Sequence, residues 1–230
     1  MREVGWHFGQ IFTGWKGAFI VLCLAFLGCR EQTSPSIHQS DASPSAAPGV
    51  IVAFGDSLTE GYDLLPEQAY PALLEKRLAD KGYHVKVINA GVSGETSSGA
   101  RSRVNWILRL NPDIVVLETG ANDGLMGISP AVLEENLGRI IAKLQQNGVT
   151  VILAGMKMLL NMGPGYTREF EAVYPRVADQ YQVARIPFFL EGVATRRALN
   201  LADGIHPNAK GYEVIADLVL PYVIDAIQNG

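Results

Sequence analysis

Five apolar runs, at 50–54, 85–88, 114–117, 149–154 and 183–189, alternate with longer segments in which apolar residues recur every three or four positions. That alternation is the strongest constraint on the fold. The runs are continuous, so both faces of each strand must be covered, and a strand–helix–strand order makes neighbouring strands parallel. The expectation is an α/β three-layer sandwich: a five-stranded parallel, flavodoxin-like sheet covered by helices on both faces. Helical period is read around Tyr70, Leu73, Leu74 and Leu78, around Leu133, Leu137, Ile140, Ile141 and Leu144, and around Phe170, Val173, Tyr174 and Val177. A last stripe, Tyr212, Ile215, Ala216, Val219, Tyr222, Val223, Ala226 and Ile227, is expected to close one face. Pro221 is expected to kink or break that helix, because proline lacks the N–H its hydrogen-bond ladder needs.

The 230 residues leave room for one domain, 50–230, and a modest extension before it. Net charge is −4, so no basic field points to nucleic acid. Both cysteines, Cys23 and Cys29, lie in the N-terminal apolar segment, which leaves the domain without a thiolate nucleophile or a cysteine-ligated metal. No cofactor and no metal are expected. Oligomeric state has no signature in the sequence.

Residues 1–29 have the layout of a secretory signal peptide: Arg2 and Lys16, then an apolar stretch at 18–28, then small residues. The stretch is short for a membrane span, which takes about 20 residues. Leu27-Gly28-Cys29 resembles a bacterial lipobox, which would make Cys29 a lipidated N-terminus. Residues 30–49, rich in Ser, Pro, Ala and Gln, cannot bury enough apolar surface to order themselves and read as a disordered tether. An exported protein of the periplasm or cell envelope, associated with the membrane through a lipid anchor, is the expected destination.

Chemistry enters at Gly55-Asp56-Ser57-Leu58, which follows the first strand. Parallel sheets bind ligands beyond the carboxyl ends of their strands, although Gly, Asp and Ser are also ordinary turn residues. A serine hydroxyl becomes nucleophilic only beside a general base, usually a histidine oriented by a carboxylate. There are four histidines: His7 is in the targeting segment, His38 in the tether and His84 at the start of the second strand, on the wrong edge of the sheet. His206 remains, three residues after Asp203, whose carboxylate can reach one ring nitrogen. Acyl transfer also needs donors for a developing oxyanion. The stretch from Asn89 to Thr96 contains glycines whose backbone N–H groups are bare, and Asn122 follows the third strand with a side-chain amide.

Gly55-Asp56-Ser57-Leu58, Ser93-Gly94-Glu95-Thr96, Gly120-Ala121-Asn122-Asp123 and Asp203-Gly204-Ile205-His206-Pro207 resemble, in order, the four sequence blocks of the SGNH, or GDSL, hydrolase family. The resemblance extends over 50–227 and is greatest to the bacterial periplasmic branch of arylesterases, lysophospholipases and acyl thioesterases. It implies Ser57 as nucleophile, His206 as base and Asp203 as its orienter. It also implies an oxyanion hole from the Ser57 and Gly94 backbone N–H groups and the Asn122 side chain. Gly91 and Gly120 then become turn glycines, and Asp56 and Asp123 loop-fixing residues. Met158, Leu159, Leu160 and Met162 are candidates for lining an acyl-chain pocket, methionine being adaptable in shape; core packing or a mobile lid accounts for them equally well.

The expected activity is hydrolysis of carboxylic esters through an acyl-enzyme, on a small-molecule ester or lipid substrate: lysophospholipid, short to medium acyl or aryl esters, or acyl thioesters. A carbohydrate O-deacetylase could use the same residues. A nucleotide-binding α/β module is the non-enzymatic alternative, and against it there is neither a G-x-G-x-x-G nor a Walker loop. The G-x-S-x-G elbow of α/β-hydrolases is absent as well.

Overall fold

The computed structural model describes residues 49–158 and 163–229. Five strands, β1 (Val50–Gly55), β2 (Lys86–Gly91), β3 (Ile114–Glu118), β4 (Thr150–Ala154) and β5 (Ala184–Ile186), form one sheet. Their order is β2-β1-β3-β4-β5, and every pairing is parallel. This is the flavodoxin-like order expected. The chain reverses direction of travel across the sheet between β1 and β3, and in such sheets a crevice opens at that switch point.

Seven helices lie among the described residues: α1 (Ser57–Glu60), α2 (Tyr70–Asp80), α3 (Ser97–Leu108), α4 (Ala121–Leu125), α5 (Pro130–Gln145), α6 (Pro164–Tyr181) and α7 (Ala209–Asn229). Of the longer ones, α2 packs on α7, while α3 packs on α5 and α5 on α6, which makes the two outer layers. No helix among the described residues is long and apolar enough to cross a membrane.

The central strands are buried along nearly their whole length, as continuous apolar runs require. The edge strand β2 is not: only Ala90 in it is buried. Its run reads as apolar because Val87 and Ile88 are half covered by α2. Strand β5 is shorter than the run at 183–189, since Pro187 has no N–H to give the ladder. Phe189 turns back and packs edge-on against Tyr70, ring centroids 5.3 Å apart.

Helix α7 does not show the break that is one of the two outcomes expected at Pro221. It neither stops nor restarts there but runs as one helix from Ala209 to Asn229. Ile215, Ala216 and Val219 before the proline and Val223 after it are fully buried. Burying an aliphatic side chain contributes roughly 1.5–3 kcal/mol, enough in sum to offset the loss of one hydrogen bond. Helix α3 has a stripe that the sequence conceals: Ser97, Ala100, Val104 and Ile107 face inward, two of them small, amid Arg101, Ser102 and Arg103.

Gly91 is not the turn glycine expected. It is the last residue of β2 and has no positive φ. A Cβ there would come within 2.1 Å of the Glu60 backbone nitrogen and 2.8 Å of the Asp56 carbonyl oxygen. Gly120, in contrast, does occupy the left-handed region, with φ 112°. Gly91→Ala is therefore expected to destabilise the fold by about 1–3 kcal/mol through overpacking, seen as a lower urea midpoint. An unchanged midpoint would show that α1 can slide away from β2.

Candidate active site

Ser57 opens α1 directly after β1. The Asp56 carboxylate caps that helix, its Oδ1 accepting the Leu58 N–H at 2.9 Å. Gly61 ends it in the left-handed region and donates its N–H to the Ser57 carbonyl at 3.1 Å. A four-residue helix has no stability of its own, so these end contacts and the burial of Leu58 and Thr59 hold it in shape. The serine hydroxyl is thereby fixed at the carboxyl edge of the sheet.

The Ser57 Oγ lies 2.9 Å from His206 Nε2, across 149 positions of sequence. His206 Nδ1 lies 2.7 Å from Asp203 Oδ2. The other Asp203 oxygen accepts the backbone N–H groups of Ile205 and His206 at 2.8 and 3.0 Å. Partial burial pushes the Asp203 carboxyl up, but the bonds from the His206 N–H, the His206 ring and the Ile205 N–H outweigh it and bring the group down to about 2. An ionised carboxylate only accepts, so Nδ1 carries the proton and Nε2 is left to accept from Ser57. Tyr62 stacks on the His206 ring, centroids 4.4 Å apart.

Gly94 and Asn122 lie in the segments that follow β2 and β3. Gly94 has φ 77°, and a Cβ built on it would meet nothing within 4 Å, so its backbone faces open space. The Asn122 amide donates to the Glu95 carbonyl at 2.9 Å and, less closely, to Asp56 Oδ2 at 3.3 Å. The loop carrying Gly94 is tied down twice. Ser93 bonds the Glu60 carboxylate through its N–H, at 2.9 Å, and its hydroxyl. Glu95 meets Arg103 in a forked ion pair at 2.6 and 2.7 Å. The same guanidinium donates to the carbonyls of Gly55 and Ala90 at 3.1 and 2.8 Å and lies 4.5 Å from the centroid of the Phe54 ring. One arginine therefore joins the ends of β1 and β2 to the Gly94 loop. Asp123 is buried and holds the start of α3, accepting from the Ser97 N–H at 2.7 Å and its hydroxyl at 2.5 Å.

Beneath Ser57 lies Glu118, fully buried, which accepts from the Thr59 hydroxyl at 2.9 Å and the Asp56 N–H at 3.3 Å. Burial pushes the Asp56 carboxyl from 3.8 up to about 6. Burial, and then the neighbouring Asp56 charge, hold Glu118 well above the usual carboxylate range.

Comparison with known proteins gives the family. Residues 53–214 match the model of the GDSL-like lipase/acylhydrolase family. The chain belongs to that family. Curated relatives include the esterase TesA of Pseudomonas aeruginosa, 44% identical over 70% of this chain and 81% of its own length. An arylesterase of Vibrio mimicus is 36% identical over 77% of this chain and 90% of its own length. The Escherichia coli protein named thioesterase 1/protease 1/lysophospholipase L1 is 34% identical over 75% and 82% respectively. Among solved structures, a crystal structure of TesA superposes with a TM-score of 0.74 at 40% identity, covering 77% of this chain and 99% of that one. The chain is thus a GDSL-type serine hydrolase acting on carboxylic esters, with small-molecule ester substrates.

Next to the GDSL serine lies a cavity of about 560 Å³ lined by Leu58, Met156, Met158, Phe188, Leu190 and Ile205, among others. Met158, singled out in the sequence, is thus on its wall and also covers Gly124. Leu159, Leu160, Met162 and Cys29 lie outside the described residues. Glu118, Arg103 and Tyr62 were not among the site residues read from sequence, because nothing local distinguishes them.

A carboxyl raised in the folded state holds its proton more tightly there than in the unfolded chain. The stability it confers is full below the unfolded value and is lost as pH rises through the folded one. Stability is therefore expected to fall from about pH 4 upward, on the order of 3 kcal/mol from Asp56 alone, and to go on falling above pH 6 as Glu118 ionises. Glu118→Gln should abolish the second part of that fall. Urea midpoints between pH 4 and 9 that decline equally in both proteins above pH 6 would refute it.

Proposed function

We propose that Ser57 is the nucleophile of this ester hydrolase, His206 its general base and Asp203 the group that orients His206. The observation that carries the reading is the unbroken run of hydrogen bonds Asp203–His206–Ser57, at 2.7 and 2.9 Å. His206 Nε2 takes the Ser57 proton as Oγ attacks the ester carbonyl, and Asp203 stabilises the imidazolium that forms. The carbonyl oxygen becomes an oxyanion, held by the N–H groups of Ser57 and Gly94 and by the Asn122 amide. Asn122 can supply that bond by giving up its long contact to Asp56 while keeping the shorter one to Glu95. Collapse of the tetrahedral species expels the alcohol, which takes the proton from His206. Water, activated by the same nitrogen, then releases the acid from the acyl-enzyme.

The substrate is read from the cavity. Its wall includes Leu58, Met156, Met158, Phe188, Leu190 and Ile205, which suit a short to medium acyl chain, with Lys157, Glu171, Glu191 and Arg196 lining the remainder. Lysophospholipids and acyl or aryl esters fit best, and thioester cleavage is a secondary capacity of the same site. The order of residues 1–49, an apolar segment ending at Cys29 and then a polar stretch, supports export to the periplasm or envelope. It also supports anchoring through a lipidated Cys29, with 30–49 as a tether. Mass spectrometry of the mature N-terminus is the check on that assignment.

Ser57→Ala is expected to abolish turnover of p-nitrophenyl acyl esters and covalent labelling by a fluorophosphonate. Labelling that persists in Ser57→Ala would falsify the nucleophile assignment. Asn122→Ala should lower kcat by about 10²–10³ with KM little changed, the loss typical of one oxyanion donor.

A further inference from the structure

Eight large apolar side chains are exposed among the described residues, and six of them lie in the connections that follow the carboxyl ends of the strands, Leu125 at the end of the short helix α4 and the rest outside the numbered helices: Tyr62, Leu65, Val92, Leu125, Met126 and Ile205. The other two, Trp106 and Val132, stand on helices α3 and α5. All six follow strand ends on the same edge of the sheet as Ser57, and three of them are tied to the site directly. Tyr62 lies on the His206 ring, Ile205 precedes that histidine, and Ile205 and Leu125 share the wall of the cavity that begins at Leu58. Met126 and Leu65 project furthest, 64% and 58% exposed. A rim of apolar side chains at the mouth of a pocket marks a docking surface.

We propose that this rim docks on the surface of a zwitterionic lipid bilayer, so that a single-chain lipid ester reaches Ser57 without crossing water. Two observations favour a bilayer as the occupant. The charged residues on the cavity wall cancel, Lys157 and Arg196 against Glu171 and Glu191, so the surface has no cationic field to select anionic lipid. The chain preceding the domain also has the length required. It joins β1 at the amino edge of the sheet, the edge opposite the rim, so a membrane anchor must reach past the whole domain, roughly 40 Å across for this size. A tether of 20 residues, 30–49, extends to roughly 70 Å at most. With Cys29 in the membrane, the rim can face the bilayer. The lipid-ester substrate rests on the hydrolase reading above; the docking does not.

The test uses the full chain in phosphatidylcholine vesicles. In the inactive Ser57→Ala protein, a further substitution Leu65→Trp adds emission that bromine-labelled acyl chains should quench. Unquenched added emission overturns the proposal, as does self-association that is lost on charging the rim, which would assign the rim to a second copy. In the active protein, Leu65→Asp with Met126→Asp should slow hydrolysis of lysophosphatidylcholine held in the vesicles about tenfold, leaving p-nitrophenyl acetate hydrolysis in water unchanged. The same slowing by the off-rim pair Trp106→Asp and Val132→Asp overturns it, and so does a loss seen only with anionic vesicles and abolished by salt. Quenching in the Ser57→Ala, Leu65→Trp protein, together with no ester hydrolysis by the unsubstituted chain, would reject the hydrolase assignment while leaving the docking surface in place.

Discussion

The position of Ser57 depends on backbone segments lying too close together to admit a side chain. A Cβ on Gly55 would fall 2.1 Å from the Thr59 hydroxyl and 2.5 Å from the Glu118 carbonyl oxygen, and one on Gly91 equally close to the Glu60 nitrogen. The ends of β1, β2 and β3 and the short helix α1 therefore touch through main chain. Main chain has no rotamers to change, so the distance from the Ser57 backbone to the neighbouring strand ends is set to the tolerance of packed atoms. The strand order then decides what stands opposite the serine, because β1 and β3 are adjacent and each carries its loop to the same edge.

Such tight packing at a strand edge strands polar groups away from water, and they are answered by buried ionisable side chains. Arg103 serves the carbonyls of Gly55 and Ala90 together with the Glu95 carboxylate, and Glu118 serves the Asp56 N–H and the Thr59 hydroxyl. Buried ion pairs and carboxyls are weak sources of net stability, since desolvation consumes most of what their attraction returns. Their value here is rigidity. Donors that are already aimed at the place where negative charge develops need not reorganise during the reaction, and Arg103 and Glu118 keep the Gly94 loop and the serine helix aimed.

Much of this was legible in the chain. The sheet followed from apolar runs separated by helical period, and the order of its strands agreed with the expected class. Ser57, His206 and Asp203 were visible because few residue types can perform such chemistry and elimination left one histidine; their proximity is a matter of geometry. What sequence concealed has a common cause. Helix α3 hides its inward stripe behind serine, glycine and alanine, whose burial depends on what lies opposite. Glu118 reads as an ordinary polar end to a strand until Thr59, 59 positions away, is brought against it. Gly91 resembles a turn glycine because the reason for its missing side chain is a backbone atom elsewhere in the chain. Pro221 reads as a helix breaker until the burial on either side of it is known.

Asp203 and His206 are held to each other by bonds within a four-residue stretch, two of them from backbone N–H groups to a single carboxylate oxygen. Asp203 and His206 thus form a prefabricated cartridge whose internal alignment owes little to the sheet. Loop-closure entropy is spent once, on bringing that cartridge to the serine, rather than separately for each member. The arrangement makes the meeting of His206 with Ser57 hinge on a single docking event at the start of α7, 149 residues along the chain from the serine.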